Sequence, residues 1–359
     1  MNRTAIAVAI VALFLSLGVA AQSAPLPRYE PRAGRARPLI AVLGDNAATE
    51  TTDYVVPYGI LAEAGVADVI ALSTEAGPIQ LRPALRIGAQ ATVAAFDARF
   101  PDAADYVIVP NIYEGAAKPA VLDWVRAQSR RGATIVGICD GVVVLANAGL
   151  LDGRQATAHW RSIDGLEEKH PGTRWLRNRR YVADGRIITT SGVSASIPIS
   201  LALIEAIGGT ERARAVAARL HLDEWSATHD SSRFHVGKRV VATALLNQWR
   251  RNEELGIAVA PGVDEIALAL VADSFSRTMR SHAVSVARSA APVETRNGLL
   301  LFPDRQGGEG KAGVMLPPLD QLPPIPTLQS TLEAIEARYG KSTAALVALQ
   351  IEFPWPLAP

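Results

Sequence analysis

The sequence predicts a doubly wound, mostly parallel α/β sheet followed by a second, truncated α/β repeat, and three observations carry that expectation. Short apolar runs rich in β-branched residues alternate with helical stretches from Leu39 to Leu220, the pattern of a parallel sheet covered by helices on both faces. One run breaks sharply into a helix at Cys139, a strand-turn-helix that belongs at the carboxyl end of a sheet strand. After Leu255 the pattern of the opening elements starts again without its middle.

In chain order, residues 1–24 carry Arg3 and then a long apolar run ending in Val19-Ala20-Ala21, which reads either as a secretory signal peptide or as a membrane anchor. Either reading implies an exported protein, periplasmic or membrane-anchored. Residues 25–38 read as an Arg/Pro-rich linker. Strands are expected over 39–43, 66–72, 106–109, 134–138 and 187–190, and helices over 52–64, 93–98, 119–130 and 141–148. A helix over 197–220, interrupted near Gly208-Gly209, closes a domain of residues 39–225. Residues 226–254 form a helical connector, its helix expected over 237–254 with one packed face.

The repeat is expected over 255–359. Residues 256–260 and 263–275 mirror the opening strand and helix, 291–293 echo 77–79, and 332–337 with Tyr339-Gly340 match 203–207 with Gly208-Gly209. The Gly/Pro-rich stretch 307–326 takes the place of the middle and is expected as an extended loop.

A chain of 359 residues, 49% hydrophobic with a formal net charge of +1, has ample core for one large or two modest domains and is not disordered. Balanced charge removes the field that nucleic-acid binding uses, and no basic recognition helix is visible. No direct nucleic-acid partner is therefore expected. A single cysteine excludes an internal disulfide.

That cysteine sits in Ala133-Thr134-Ile135-Val136-Gly137-Ile138-Cys139-Asp140-Gly141. A nucleophile at the turn, with a glycine two residues on and a helix following, describes a nucleophile elbow, where the helix N-terminus is expected to lower the thiol pKa. His159 stands twenty residues beyond, in an extended segment that returns toward the elbow after Leu151-Asp152-Gly153-Arg154. His221, Asp223, Glu224 and His229 are too loosely spaced for a metal and read as a solvated helix end. Neither a metal nor a cofactor is expected.

Cys139-Asp140-Gly141, the stretch Val144-Leu145-Ala146-Asn147-Ala148-Gly149-Leu150-Leu151-Asp152-Gly153, Ala156-Thr157-Ala158-His159-Trp160 and the later Thr190-Ser191-Gly192-Val193-Ser194-Ala195 resemble the ThiJ/PfpI superfamily of class I glutamine amidotransferase-like proteins. Within it, the resemblance is closest to the N-terminal domain of AraC-type regulators, and it covers residues 39–222. It implies a flavodoxin-like sheet and an acid at the start of the first helix beside the elbow cysteine. Asp53, four residues before Pro57, occupies that place. Many members have glycine after the strand ending Val109-Pro110, where a backbone N–H approaches the substrate oxyanion; this chain has Asn111-Ile112. Asp140 opposes thiolate formation if its charge faces the sulfur.

The implied function is a cysteine-dependent hydrolase or lyase acting on a small carbonyl or amide-like substrate, with Cys139, His159 and Asp53 catalytic and Asp140, Asn111, Ile112 and Gly141 forming the oxyanion and substrate site. The alternative is a non-catalytic ligand- or oxidation-sensing domain. The partner is a small-molecule substrate or ligand, and a homo-oligomer is the expected state.

Overall fold

The computed structural model describes residues 26–113, 118–250, 253–307, 313–319 and 323–356. The expected signal peptide or anchor at residues 1–24 lies outside the described residues. Among those described, no helix is long and apolar enough to cross a membrane.

The first unit runs β1 (Leu39–Gly44), β2 (Thr49–Glu50), α1 (Thr51–Ala64), β3 (Asp68–Ser73), β4 (Pro78–Arg82), β5 (Arg86–Gly88), β6 (Ala91–Thr92), α2 (Val93–Arg99), β7 (Tyr106–Val109), α3 (Pro119–Arg130), β8 (Thr134–Gly137) and α4 (Gly141–Asn147). It continues through β9 (Gln155–Ala156), α5 (Ile163–Lys169), β10 (Arg174–Trp175), β11 (Tyr181–Asp184), β12 (Ile187–Thr190), α6 (Ser196–Gly208) and α7 (Thr210–Leu220). After α8 (Lys238–Gln248) come β13 (Glu253–Ala258), α9 (Glu265–Ser276), β14 (Ser281–Ala287), β15 (Val293–Glu294), β16 (Leu300–Leu301), β17 (Arg305–Gln306), β18 (Val314–Met315), α10 (Pro324–Tyr339) and α11 (Lys341–Gln350).

Seven strands form the main sheet in the order β11-β12-β8-β7-β1-β3-β6. All neighbours are parallel except the β11–β12 edge pair. Every residue of β1 and β7 is buried, as central parallel strands covered on both faces must be. The chain order reverses between β1 and β7, and such switch points open a crevice beyond the carboxyl ends of the strands.

A second sheet, β17-β14-β13-β18, repeats the order β6-β3-β1-β7, and all its pairs are parallel. Helix α9 follows β13 as α1 follows β1, and the pair α10–α11 closes this unit as α6–α7 closes the first. No counterpart of β8 and α4 lies between β18 and α10 among the described residues.

The two units share one core. Twelve of the fourteen residues of α1 are buried, and a helix apolar all round has to be covered on every side. The main sheet covers one face and α9 another. Gly59 makes the crossing close, since a Cβ there would lie 2.7 Å from Ile266 Cγ1. Each Ile or Leu fully buried along this seam contributes about 1.5–3 kcal/mol. The hairpins also join: β4–β5 and β15–β16 form one antiparallel ladder through Leu300 opposite Gly88 and Leu301 opposite Ile87.

Three expectations are corrected. The helix expected over 237–254 ends at Gln248, and of its expected packed face only Asn247 is buried while Trp249 is 92% exposed. Glu253 and Glu254 instead open β13, held by Arg338 at 2.9 Å and Arg305 at 2.6 Å. The loop expected over 307–326 contains β18, paired to β13, and the start of α10, where Pro324 fits the first helical turn because it has no N–H to leave unpaired. Residues 26–38 are docked rather than a free linker. Tyr29 N donates to Ala206 O at 3.0 Å, Arg32 Nη2 to Arg131 O at 2.6 Å, and Arg35 Nε lies 3.0 Å from Asp105 Oδ2.

Candidate functional site

The elbow forms where β8 has to leave the sheet without moving away from β7. Ile138 N donates to Val109 O at 2.9 Å, keeping the chain on its neighbour, and Gly141 N returns to Ile138 O at 2.8 Å. Cys139 between them takes φ 53°, a left-handed conformation that costs a residue with a Cβ and persists only where the surroundings impose it. Thr190 Oγ1, at the end of β12, accepts from Cys139 N at 3.1 Å. Gly141 is required by space, since a Cβ would sit 2.0 Å from Val109 O.

The acids come from the start of α1. Glu50 is its N-cap and accepts from Asp53 N at 2.5 Å. Asp53 is fully buried, and its Oδ2 accepts from Asn111 N at 3.2 Å. The second unit completes the cluster: Arg277 Nη2 lies 2.5 Å from Glu50 Oε1, and its Nε lies 2.8 Å from Asp273 Oδ2.

Burial is the largest influence on Asp53 and Glu50. It pushes Asp53 from the ordinary 3.8 to about 7, against the pull of the Asn111 N–H and Arg277. It also holds Glu50 well above the usual carboxylate range, with Asp53 and Asp273 adding to it and Arg277 opposing. The Cys139 thiol is pushed well up, first by burial and then by Asp53, Asp140 and Glu50; the Asp140 N–H works the other way. This reverses the expected lowering by the helix N-terminus, because desolvation and three carboxyl groups outweigh the dipole of one short helix.

The shift at Asp53 has a consequence for stability. Its folded pKa is raised, so as pH climbs from 3.8 toward 7 the unfolded chain ionises first and stability falls; the penalty is complete above 7 and is on the order of 4 kcal/mol. Asp53→Asn, which keeps an oxygen for the Asn111 N–H, is expected to match the wild type near pH 4 and to unfold at higher denaturant at pH 8. A variant less stable at both pH values would sink this assignment.

His159 is 7% exposed, and its Nδ1 accepts from Arg161 N at 3.2 Å, so the neutral ring carries its proton on Nε2. Gly192 packs against it, since a Cβ there would come within 2.8 Å of the ring. Among the described residues no hydrogen bond joins the imidazole to Cys139 Sγ, so the expected partnership is not made by direct contact here.

The expected oxyanion donors divide. The Asn111 N–H is spent on Asp53 and that of Gly141 on Ile138 O. Ile112 is fully buried in a bridge to Thr49. The Asp140 N–H pulls the thiol pKa down against the other influences, while its carboxyl Oδ1 is buried with no hydrogen-bond partner. In this arrangement Asn111 and Gly141 fix the elbow and Asp53 instead of presenting donors to a ligand.

Sequence reasoning missed Glu50, Thr190, Asp273 and Arg277. Glu50 had a local signal, an acid three residues ahead of Asp53 at an N-cap spacing. Arg277 lies 227 residues from Glu50 and had none. Of the loose His/acid set, His229 Nε2 pairs with Glu352 Oε1 at 2.6 Å, and no group of residues able to hold a metal occurs among the described residues.

Residues 40–206 match the model of the DJ-1/PfpI family. This stretch is a DJ-1/PfpI domain. The chain is 40% identical over 124 residues to the HTH-type transcriptional regulator CdhR of Pseudomonas aeruginosa, across 34% of this chain and 37% of that protein. It is 34% identical over 99 residues to isonitrile hydratase of Pseudomonas putida, across 28% and 42%, and 28% identical over 180 residues to the Parkinson disease protein 7 homolog of Danio rerio, across 49% and 93%. The chain thus spans less than half the length of the first two relatives. A solved ThiJ/PfpI family protein from Pseudomonas syringae matches with a TM-score of 0.48 at 23% identity, across 55% of this chain and 84% of that one. The DJ-1/PfpI relatives therefore include both regulators and an enzyme.

They also correct the exported, periplasmic or membrane-anchored location expected from the N-terminus. Relatives that match include HTH-type transcriptional regulators, among them GlxA of Rhizobium meliloti, 42% identical over 92 residues.

Proposed function

We propose that the DJ-1/PfpI domain is a cysteine-dependent hydrolase or lyase for a small carbonyl or amide-like substrate. The observation that carries this is Cys139 held at φ 53° under the influence of Asp53, a carboxyl pushed up to about 7. A carboxyl near neutrality can take the thiol proton as sulfur attacks an electrophilic carbon and return it to the leaving group. With both partners buried, the thiol stays protonated until substrate arrives, which protects it between turnovers. His159, with its proton on Nε2, supplies a second donor for the developing negative charge.

In this reading residues 39–225 form the working domain and 226–254 the connector. Residues 255–359 are a truncated copy of the first domain that walls the acid cluster through Asp273 and Arg277. The homo-oligomer remains part of the proposal. Val241, Leu245, Leu246 and Trp249 on and beside α8 are exposed apolar residues that suit such a contact, and Trp249→Glu is expected to shift the mass seen by light scattering to a smaller species.

Replacing Cys139 by serine tests the reaction itself. With an alkyl isonitrile, a small amide and a small aldehyde as substrates, turnover is expected to fall about a thousandfold or more while the circular dichroism stays unchanged. A folded serine variant that keeps its turnover would end the reading.

One observation favours a second reading, a non-catalytic ligand- or oxidation-sensing domain: two of the expected oxyanion donors are already engaged inside the protein. Regulators among the relatives support it. Saturable binding of a substrate that is never converted would favour this reading over the first.

A further inference from the structure

A cavity of about 180 Å³ lies where the two units meet, bounded by the starts of α1 and α6, by α9 and α10, and by the chain after α11. It does not include Cys139. Its walls are largely apolar, with Ile197, Leu270, Leu328 and Phe353 among them. Of the polar side chains in the lining, two carry buried atoms left unpaired. Thr52 is 1% exposed and Asp273 2%, and Thr52 Oγ1 and Asp273 Oδ1 are both buried without a hydrogen-bond partner.

Buried polar atoms are nearly always paired, so two orphans in one small apolar cavity ask for a ligand that satisfies them. As the ion-pair partner of Arg277, Asp273 offers acceptor oxygens, and Oδ2 is already bonded to that guanidinium. The missing partner at Oδ1 is therefore a donor. Charge points the same way: Glu50, Asp53 and Asp273 face a single guanidinium, that of Arg277. The other charged residue of the lining, Arg180, donates its Nε to Thr228 O. In size, a cavity of about 150 Å³ lined by aliphatic and aromatic side chains holds a benzene ring.

We propose that this cavity is a second small-molecule site, for a compact, mostly apolar primary amine whose ammonium group is received by Asp273 and Thr52. Because Asp273 raises Asp53 and Glu50 electrostatically, an ammonium bound there lowers both carboxyl pKa values and couples this site to the thiol.

Benzylamine, benzyl alcohol and toluene, titrated against the full chain by calorimetry and thermal unfolding, test the assignment. Benzylamine is expected to bind saturably and at least tenfold more tightly than either neutral probe. Leu328→Trp, which fills the cavity, is expected to weaken it at least tenfold; Ile197→Phe serves the same purpose if the first variant does not fold. Cys139→Ser is expected to bind benzylamine unchanged, so the outcome is independent of the proposed reaction. No saturable binding of benzylamine, or binding untouched by a filled cavity, would overturn the proposal.

Discussion

Arg277→Met is expected to cost about 3–5 kcal/mol of unfolding free energy at pH 8, because it strands two buried carboxylates at once. Arg277 is the cation within ion-pair distance of both Glu50 and Asp273, whose side chains are 1% and 2% exposed. Methionine keeps much of the volume and removes the charge, so the loss reports on electrostatics rather than on packing. The sign of its pH dependence follows from the acids. Without the guanidinium, Glu50 and Asp53 rise further, and below their folded pKa values they are neutral and need no counter-charge. The cost is therefore expected to shrink as pH falls toward 5. Urea unfolding at the two pH values measures it, and a change below about 1 kcal/mol at pH 8 would mean that the second unit does not hold the acid cluster.

Gly141→Ala is expected to be the most disruptive small change at the elbow. The added methyl would meet Val109 O at 2.0 Å and Pro110 O at 2.8 Å, and both are backbone atoms that no rotamer change can move aside. The start of α4 has to shift away from β7, at a cost of about 3 kcal/mol or more. Cys139 moves with it, so the thiol is also expected to alkylate faster with iodoacetamide than in the wild type as its burial is lost. An alanine variant with wild-type stability and alkylation rate would contradict the packing described for the turn.

Much of this architecture was legible locally. The alternation of β-branched runs with helices placed the sheet, since central parallel strands must be apolar on both faces. The cysteine before an Asp-Gly and a helix placed the elbow, because a left-handed residue with glycine two positions on lets the chain turn tightly against the neighbouring strand. The echo of the opening elements after Leu255 placed the repeat, and its strand order confirms the likeness. The end of the connector was misjudged because Glu253 and Glu254 look like a helix tail. Only Arg338 and Arg305, both brought in by tertiary contacts, make two adjacent acids comfortable at the mouth of a strand.

The sequence by itself determined that a thiol sits at a sheet-end turn, because helix, strand and turn preferences act over a few residues, while the acid at the start of the first helix came from the family resemblance. Tertiary structure alone decided the protonation of that site. Whether a carboxyl ionises depends on how much water remains and which charges stand across the gap. Here that gap is closed by Arg277 and Asp273 from a unit that joins the first only when α9 packs on α1.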